Sequence, residues 1–408
     1  MVLRAPLLEK LLWRCRHTLL SRPSAPAGSD GGPIIVAGLF RTASGIGQSA
    51  RACADGLEKA GVQVHRVDLS AAFGQLELPP DPRFLDRPPP GGTLILHFNA
   101  PEVERALFLL ENWRGSARRV IGMWVWEMPI TPEHWRPATR WLSEIWVPSR
   151  FSYDALRPLT DKPMKIVPYF IPAPSSAPQN VDSSRFTVIA LGDGKSSFAR
   201  KNLAAALSAF QEAQLDRDAQ LILKTRHLDQ SPIFQQQLEE ARASDPRIRI
   251  IDGSLSHDEV LDLIASANVL ISLHRAEGFG LTIAEAMLQG KPVIATGWSG
   301  NIDFMNEDSA IVVPYRLVPV DDSYGVYSAI QGAVWAEPDI AYAACALSEL
   351  AANPCRRTAL GNAARQRILP LTTGAMYTAA LQIPDAQPTL DSPFATLVPP
   401  SIAWQPLE

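Results

Sequence analysis

The residues best suited by type and spacing to do chemistry lie between Leu273 and Thr296. That stretch reads Leu-His-Arg-Ala-Glu-Gly-Phe-Gly-Leu-Thr-Ile-Ala-Glu to Glu285, then Ala-Met-Leu-Gln-Gly-Lys-Pro-Val-Ile-Ala-Thr. Two carboxylates, Glu277 and Glu285, bracket a turn through Gly278 and Gly280. Asn268 to Leu273 is a short apolar run that fits a buried parallel strand. Thr282 to Gln289 has helical composition, Gly290 stands where helices stop, and Pro292 bars continuation. Pro292 to Ala295 is the next strand. In open α/β sheets ligands collect outside the carboxyl ends of strands, where helix N-termini carry partial positive charge. A carboxylate there can accept both hydroxyls of a cis-diol, and glycine lets the backbone approach a phosphate. Two plainer readings stand beside this one. Thr282-Ile-Ala-Glu285 is a capping box in its own right, and Glu277 also suits a solvated loop.

A second stretch repeats the pattern with the opposite charge. Phe186 to Leu191 reads as a buried strand. Gly192-Asp-Gly-Lys-Ser-Ser-Phe-Ala-Arg200-Lys201-Asn202 is a basic glycine loop, and Leu203 to Ala213 a helix. Strand, basic loop and helix together suit phosphate. Cations at a helix start oppose the helix dipole, so Arg200 and Lys201 point to a bound anion or else to a solvated helix start. Glu127, in Trp124-Val-Trp-Glu-Met-Pro129, follows a strand over Arg119 to Val125. It either meets a substrate or pairs with Arg118 or Arg119. His97 closes a strand over Thr93 to His97 and reads as a satisfied histidine. Trp124 or Trp126 suits stacking on a sugar ring, whereas Trp135, Trp141 and Trp146 read as core. Ser299 and Asn301, in the loop after Thr296, fit either a ligand contact or a tight turn.

Gly45-Ile-Gly47-Gln-Ser-Ala50 matches a dinucleotide fingerprint, with Asp68 at a suitable distance. The spacing argues against it, because six residues separate Gly38, at the end of the strand over Gly32 to Gly38, from Gly45. Arg51 reads as a surface residue. Further strands are expected over Val62 to Val67, Glu144 to Ser149, Gln220 to Thr225 and Ile248 to Ile251. Helices are expected over Gln48 to Ala60, His257 to Ala265, Ala341 to Leu350 and Pro354 to Ile368. The last of these is expected to cross back to the first domain. Strands and helices alternate through both halves, which predicts an α/β protein of two doubly wound domains.

The 408 residues suffice for two or three domains. Hydrophobic residues make up 46% and charged residues 20%, ordinary for a globular enzyme. A formal net charge of -4 argues against nucleic acid as a main partner. Cys15, Cys53, Cys345 and Cys355 lack metal-ligand spacing and read as reduced cysteines of a cytoplasmic protein. No apolar run is long enough to span a membrane. Residues 1–30 alternate leucines with Arg4, Lys10, Arg14, Arg16 and Arg22. That suits a helix on an anionic membrane surface, or one packed on its own domain. The expected division is this basic segment, a first domain over 31–170, a proline-rich linker over 171–184, a second domain over 185–370 and a tail over 371–408 that partly crosses back or is disordered.

Glu277-x7-Glu285, framed as EGFGLTIAEAM followed by GKPVIAT, resembles the signature of family 4 glycosyltransferases, which are retaining enzymes of the GT-B fold. The resemblance implies two Rossmann-like domains facing a central cleft. It implies that Glu285 grips the ribose of a nucleotide-sugar and that Glu277 contacts the donor sugar. Backbone N–H groups near Gly278, Phe279, Gly280 and Leu281 are implied to receive the diphosphate or sugar, with Asn301 near the donor. Gly45 and Gly47 then belong to a longer loop on the first domain that faces the cleft. Lys201 matches the family's lysine at the diphosphate. Asp193 stands where its arginine is usual, so Arg200 or Lys195 takes that part. Glu127 stands where many family members carry a histidine, as in a subgroup of bacterial polysaccharide glycosyltransferases with a WxWE segment. Glu127 is thereby implied to orient the acceptor hydroxyl or take its proton. Asp216-Arg-Asp218 resembles the metal-binding acids of the other glycosyltransferase fold, but it precedes a strand and reads as a surface loop. The expectation is a metal-independent, cofactor-free hexosyltransferase. It would move a sugar from a nucleotide-sugar to a saccharide or lipid-linked acceptor in bacterial cell-surface polysaccharide synthesis. The setting implied is the cytoplasmic face of the membrane. The alternatives are a non-catalytic sugar-nucleotide-binding partner and an NAD-dependent oxidoreductase.

Overall fold

The computed structural model describes residues 20, 32–111, 118–173, 185–322, 325, 327–328 and 330–383. The apolar runs of the first half form one parallel sheet of β1 (Ile34–Gly38), β2 (Val64–Asp68), β3 (Thr93–Leu96), β4 (Arg119–Met123), β5 (Glu144–Val147) and β6 (Met164–Ile166). Their spatial order is β2-β1-β3-β4-β5-β6. Three helices serve this sheet: α1 (Gly45–Lys59), α2 (Ala100–Leu109) and α3 (Arg150–Leu156). The central strands read as unbroken hydrophobic runs because both faces are covered. Ile35, Val36 and Ala37 are all fully buried.

The second half repeats the plan. Its strands are β7 (Thr187–Asp193), β8 (Gln220–Arg226), β9 (Ile248–Asp252), β10 (Val269–Ser272), β11 (Val293–Thr296) and β12 (Ile311–Val313), in the order β12-β11-β10-β7-β8-β9. The helices are α4 (Phe198–Lys201), α5 (Leu203–Glu212), α6 (Pro232–Ser244), α7 (His257–Ser266) and α8 (Leu281–Leu288). Register pins the centre: Ile189 of β7 lies opposite Ile222 of β8 and Leu270 of β10. The strand order reverses between β7 and β10, and in the first sheet between β1 and β3. Those reversals open the crevices in which ligands of such sheets sit. Helix α8 is buried from Ile283 through Leu288, so it is apolar on every side.

One pair of strands was not expected. Tyr315–Pro319 (β13) and Val334–Pro338 (β14) form an antiparallel ribbon. The helices α9 (Ile340–Ala352) and α10 (Pro354–Ile368) follow, and α11 (Ala375–Leu381) ends the described chain. The helix over Pro354–Ile368 does not cross back as expected. It stays on the second domain against α8, and α11 makes the return, packing on α1. The reason is local. Gly374 takes a left-handed turn so close to Gly56 of α1 that a Cβ would strike the Gly56 carbonyl oxygen. One buried cluster accordingly joins Cys53 and Leu57 of α1, Ile283 and Met287 of α8, and Tyr377 of α11.

The expected amphipathic segment over 1–30 lies outside the described residues except for Leu20, which is buried among first-domain residues. Residues 174–184 of the linker and the tail from 384 also lie outside them. Among the described residues no helix is long and apolar enough to cross a membrane.

Candidate active site

Two loops meet where the second sheet reverses, one after β7 and one after β10. They are laced by backbone and guanidinium contacts. Arg275 N–H donates to the Arg200 carbonyl at 2.8 Å, and Arg200 Nη1 donates to the Ala276 carbonyl at 2.7 Å. This brings Glu277 to the two cations. Lys201 Nζ lies 2.5 Å and Arg200 Nη1 3.3 Å from its carboxylate oxygens. Burial alone would raise the Glu277 pKa, but Lys201 and Arg200 outweigh it and hold the group at about 2. Glu277 is therefore a buried carboxylate and not a solvated loop acid. Arg200 and Lys195, the two candidates for the diphosphate, have different surroundings. Lys195 turns to Glu77 of the first domain at 3.4 Å, while Arg200 is buried beside Glu277.

Behind Glu277 stands a polar scaffold. Its N–H donates to Ser299 Oγ at 2.8 Å. Asn301 Nδ2 donates to the Thr296 carbonyl at 2.9 Å, and its Oδ1 lies 3.0 Å from His274 Nε2. The imidazole nitrogen that faces two acceptors, Asn301 Oδ1 and the Trp298 carbonyl, must carry the proton. Asn301 is fully buried with both ends of its amide engaged, so it positions the Glu277 loop instead of meeting a donor. Ser299 and His274 share that part. His274 stands two residues after β10, a strand-end placement that was visible in the sequence.

Glu285 has no such partners. It lies on the second turn of α8, and the ionisable side chain within 4 Å of it among the described residues is His257, whose Nε2 is 3.6 Å away. Burial raises its pKa to about 8. Burial and Arg51 keep His257 neutral. His257 Nε2 and Gln289 Oε1 are also buried without a hydrogen-bond partner. A shallow depression at the surface is lined by Pro172, Leu261, Glu285, Leu288 and Gln289. The capping-box reading of Glu285 does not hold. Helix α8 is capped by Gly280 in a left-handed conformation, without a side-chain cap, and Thr282 already lies inside the helix. The first N–H groups of α8 therefore have no side-chain cap, an arrangement suited to an anion. Phe279 contributes only backbone there, because its ring packs between Tyr169 and Phe304. Gly278 turns its carbonyl to the first domain, where Ser149 Oγ donates to it at 2.6 Å.

The first domain supplies Glu127. It is half-buried, and neither Arg118 nor Arg119 holds it; Arg119 pairs with Glu144 at 2.7 Å. Its surroundings are Arg200, Glu277, Tyr327 and Lys201, and its pKa is raised chiefly by burial. Tyr327 Oη lies 3.1 Å from Glu127 Oε2, a contact across 200 residues that no motif foretold. Trp124 and Trp126 are core, contrary to the stacking role expected of them. They pack edge-on to Trp135, and Trp126 Nε1 donates to the Ile130 carbonyl.

Gly45 and Gly47 open α1 at the first sheet's reversal. Gly47 approaches the Thr42 carbonyl so closely that a Cβ would lie 2.4 Å from it. The loop before them is held by Glu77, which accepts from Ala43 N at 2.8 Å and also meets Arg226 of the second domain. Arg51 is no surface residue. Its guanidinium donates to the Phe40 and Thr42 carbonyls. Asp68 Oδ1 accepts from Phe40 N and from Ser70, which ties the acid to the loop after β1. His97 is buried with Nδ1 2.9 Å from Ser49 Oγ. Among the described residues no group of three or more His, Cys, Asp or Glu is placed to hold a metal ion.

Solved structures share this architecture at low identity. Sucrose-phosphate synthase from Thermosynechococcus elongatus superposes with a TM-score of 0.63 at 16% identity, covering 86% of this chain and 98% of its own. Anabaena HepE, solved with UDP and glucose, gives 0.59 at 13% identity, covering 85% and 99%. S. aureus TarM, solved with UDP and α-GlcNAc-glycerol among its ligands, gives 0.54 at 11% identity over 71% of this chain. The chain spans only 54% of TarM. These likenesses establish the GT-B fold. No curated protein sequence matches the chain. Residues 150–356, just over half of the chain, match the family model described as family 4 glycosyltransferase in conflict systems, and the chain belongs to that family.

Proposed function

We propose that this glycosyltransferase takes its sugar from a nucleotide-sugar and transfers it, with retention at the anomeric carbon, to a hydroxyl of a saccharide or lipid-linked saccharide. One observation carries the reading. Glu285, a buried carboxyl group with no hydrogen-bond partner among the described residues, lies one turn into a helix that no side chain caps, and Glu277 with its two cations stands in the loop just before that helix. A ribose diol satisfies the first, a diphosphate the second, and a sugar's hydroxyls the Glu277 carboxylate.

In this reading Arg200, Lys201 and the α8 N-terminus face the diphosphate. As the bond from C1 to the phosphate oxygen breaks, its electron pair leaves on the nucleoside diphosphate, and these groups stabilise the growing charge. The C1–oxygen bond to the acceptor forms, and the Glu127 carboxylate takes the hydroxyl proton. Fixed cations and a helix dipole supply the positive charge, so we assign no metal and no cofactor to the step. The oxidoreductase alternative loses its support because residues 150–356 match a glycosyltransferase family model.

HepE, TarM and the pneumococcal O-GlcNAc transferase GtfA were each solved with UDP, which makes UDP-sugars the first to test. Thermal-shift and calorimetric titration with UDP-, GDP- and dTDP-sugars should find one nucleotide class that binds, with or without chelator. Lys201→Ala should weaken that binding about tenfold or more. Nucleotide-sugar binding that survives both Lys201→Ala and Glu285→Ala at full strength would overturn the assignment of the crevice.

A further inference from the structure

We propose that Tyr327 is a positioning residue for Glu127: its hydroxyl holds one carboxylate oxygen and so keeps the group an anion, with the other oxygen left for the acceptor. The inference rests on the acceptor-side reading of Glu127.

Tyr327 lies between β13 and β14, far in sequence from every motif. It is buried, and its hydroxyl donates to Glu127 Oε2 at 3.1 Å. Among the described residues Glu127 has no other hydrogen bond. The ring is held on two sides. It packs against Trp126 at 5.7 Å, and the Arg200 guanidinium lies 5.9 Å from its centroid. Its backbone N–H donates to Asp322 Oδ2 at 3.2 Å. Asp322, itself buried, accepts from Ser197 Oγ at 2.7 Å, in the loop that carries Arg200 and Lys201. One acid thus ties Tyr327 to the cation loop, and Tyr327 reaches across to the first domain. A tyrosine serving only as packing needs no such anchoring of its backbone.

The electrostatics give the contact a purpose. Facing Glu127 are Arg200 and Lys201 from α4, Glu277 from the loop after β10, Tyr169 from the segment after β6, and Tyr327. Burial and the fixed charge of Glu277 favour the neutral acid, while Arg200, the Tyr327 hydroxyl and Lys201 favour the carboxylate. Burial, foremost, pushes the Tyr327 phenol well above its ordinary value, so it stays a donor throughout the working range and cannot itself be the base. Removing the hydroxyl deletes one of the forces that hold Glu127 ionised. The acid limb of the rate profile must then move toward higher pH, because an acid group that acts as its anion works only above its own pKa.

The test is the pH profile of glycosyl transfer for the full chain, its Tyr327→Phe variant and its Glu127→Gln variant, with a UDP-sugar as donor. For Tyr327→Phe, kcat should fall about tenfold at the acid end and recover to within about twofold at the alkaline end, with donor KM and thermal unfolding unchanged. A loss uniform across pH, or no loss, overturns the inference. Glu127→Gln that transfers at the parental rate overturns the underlying reading of Glu127 instead. Should Tyr327→Phe fold poorly, Asp322→Asn loosens the anchor without touching the ring, and it must displace the acid limb in the same direction.

Discussion

Glu277 and Glu285 share a motif and a degree of burial but not their electrostatics. Cations hold Glu277 at about 2, whereas Glu285, without one, rises to about 8. Their stability contributions therefore run in opposite directions with pH. Glu277 has a depressed folded value, so its contribution is present above its unfolded value of 4.5 and fades as pH falls toward 2. Glu285 has a raised one, so its contribution is complete below 4.5 and is lost as pH rises through 8. The buried carboxyl is a stability cost at alkaline pH, as the ribose-binding role proposed for it would require. Glu285→Gln should gain melting temperature over the parent as pH climbs from 5 to 9, most at the alkaline end, while its affinity for the nucleotide-sugar falls. A difference in melting temperature that stays flat with pH would mean that the native carboxyl is already ionised. The spacing of the two acids was visible in the sequence. Which of them owns the cations was not, because that depends on a contact between Lys201 and Glu277 that only the folded crevice makes.

At the scale of elements, α8 shows why a local signal misled. Thr282-Ile-Ala-Glu285 satisfies the capping pattern, yet the helix starts one residue before Thr282 because Gly280 alone takes the left-handed turn, with φ +98°. The N-cap thus stands two residues before the one the pattern names, which leaves the first N–H groups without a side-chain cap and puts Glu285 in the second turn. Gly280→Ala should cost about 1–2 kcal/mol, the ordinary penalty for a side chain at positive φ, raised by the Asn301 Cβ lying 3.3 Å from the new methyl group. Chemical denaturation measures the cost, and donor titration should show weakened binding in the same variant. An unchanged unfolding midpoint would mean that the turn relaxes freely and that the glycine serves no conformational need. The parallel strands were readable because burial on both faces makes them continuous apolar runs. The ribbon of β13 and β14 was not. Its residues Tyr315, Arg316 and Pro319 are polar, exposed or proline, and its inner contacts, Trp335 with Arg275 and Tyr327 with Glu127, join parts distant in sequence.

The whole molecule is two sheets with cores of their own and a third cluster that belongs to both. Alternation of strands and helices foretold the two sheets, but the shared cluster depends on where the last helix lands, and composition says nothing of that. Helix α11 lies on α1, with Tyr377 fully buried, its ring 6.4 Å from that of Trp146, and its hydroxyl accepting from Phe170 N at 3.1 Å. At the crevice the halves also meet through Ser149 with Gly278, and through Arg150 N–H, which donates to Asp303 at 2.6 Å. These two groups of contacts carry different loads. The crevice contacts are few and polar and fix the angle between active-site loops, whereas the α11 contact buries apolar surface and supplies cohesion. Tyr377→Ala should therefore cost about 3–5 kcal/mol through the cavity it leaves. It should also divide one calorimetric transition into two, the first sheet melting ahead of the second. Nucleotide-sugar added to the variant should raise only the later transition, since the crevice at β7 and β10 belongs to the second sheet. A single transition that moves down intact would show instead that the polar contacts around Gly278 are enough to make the two halves unfold as one.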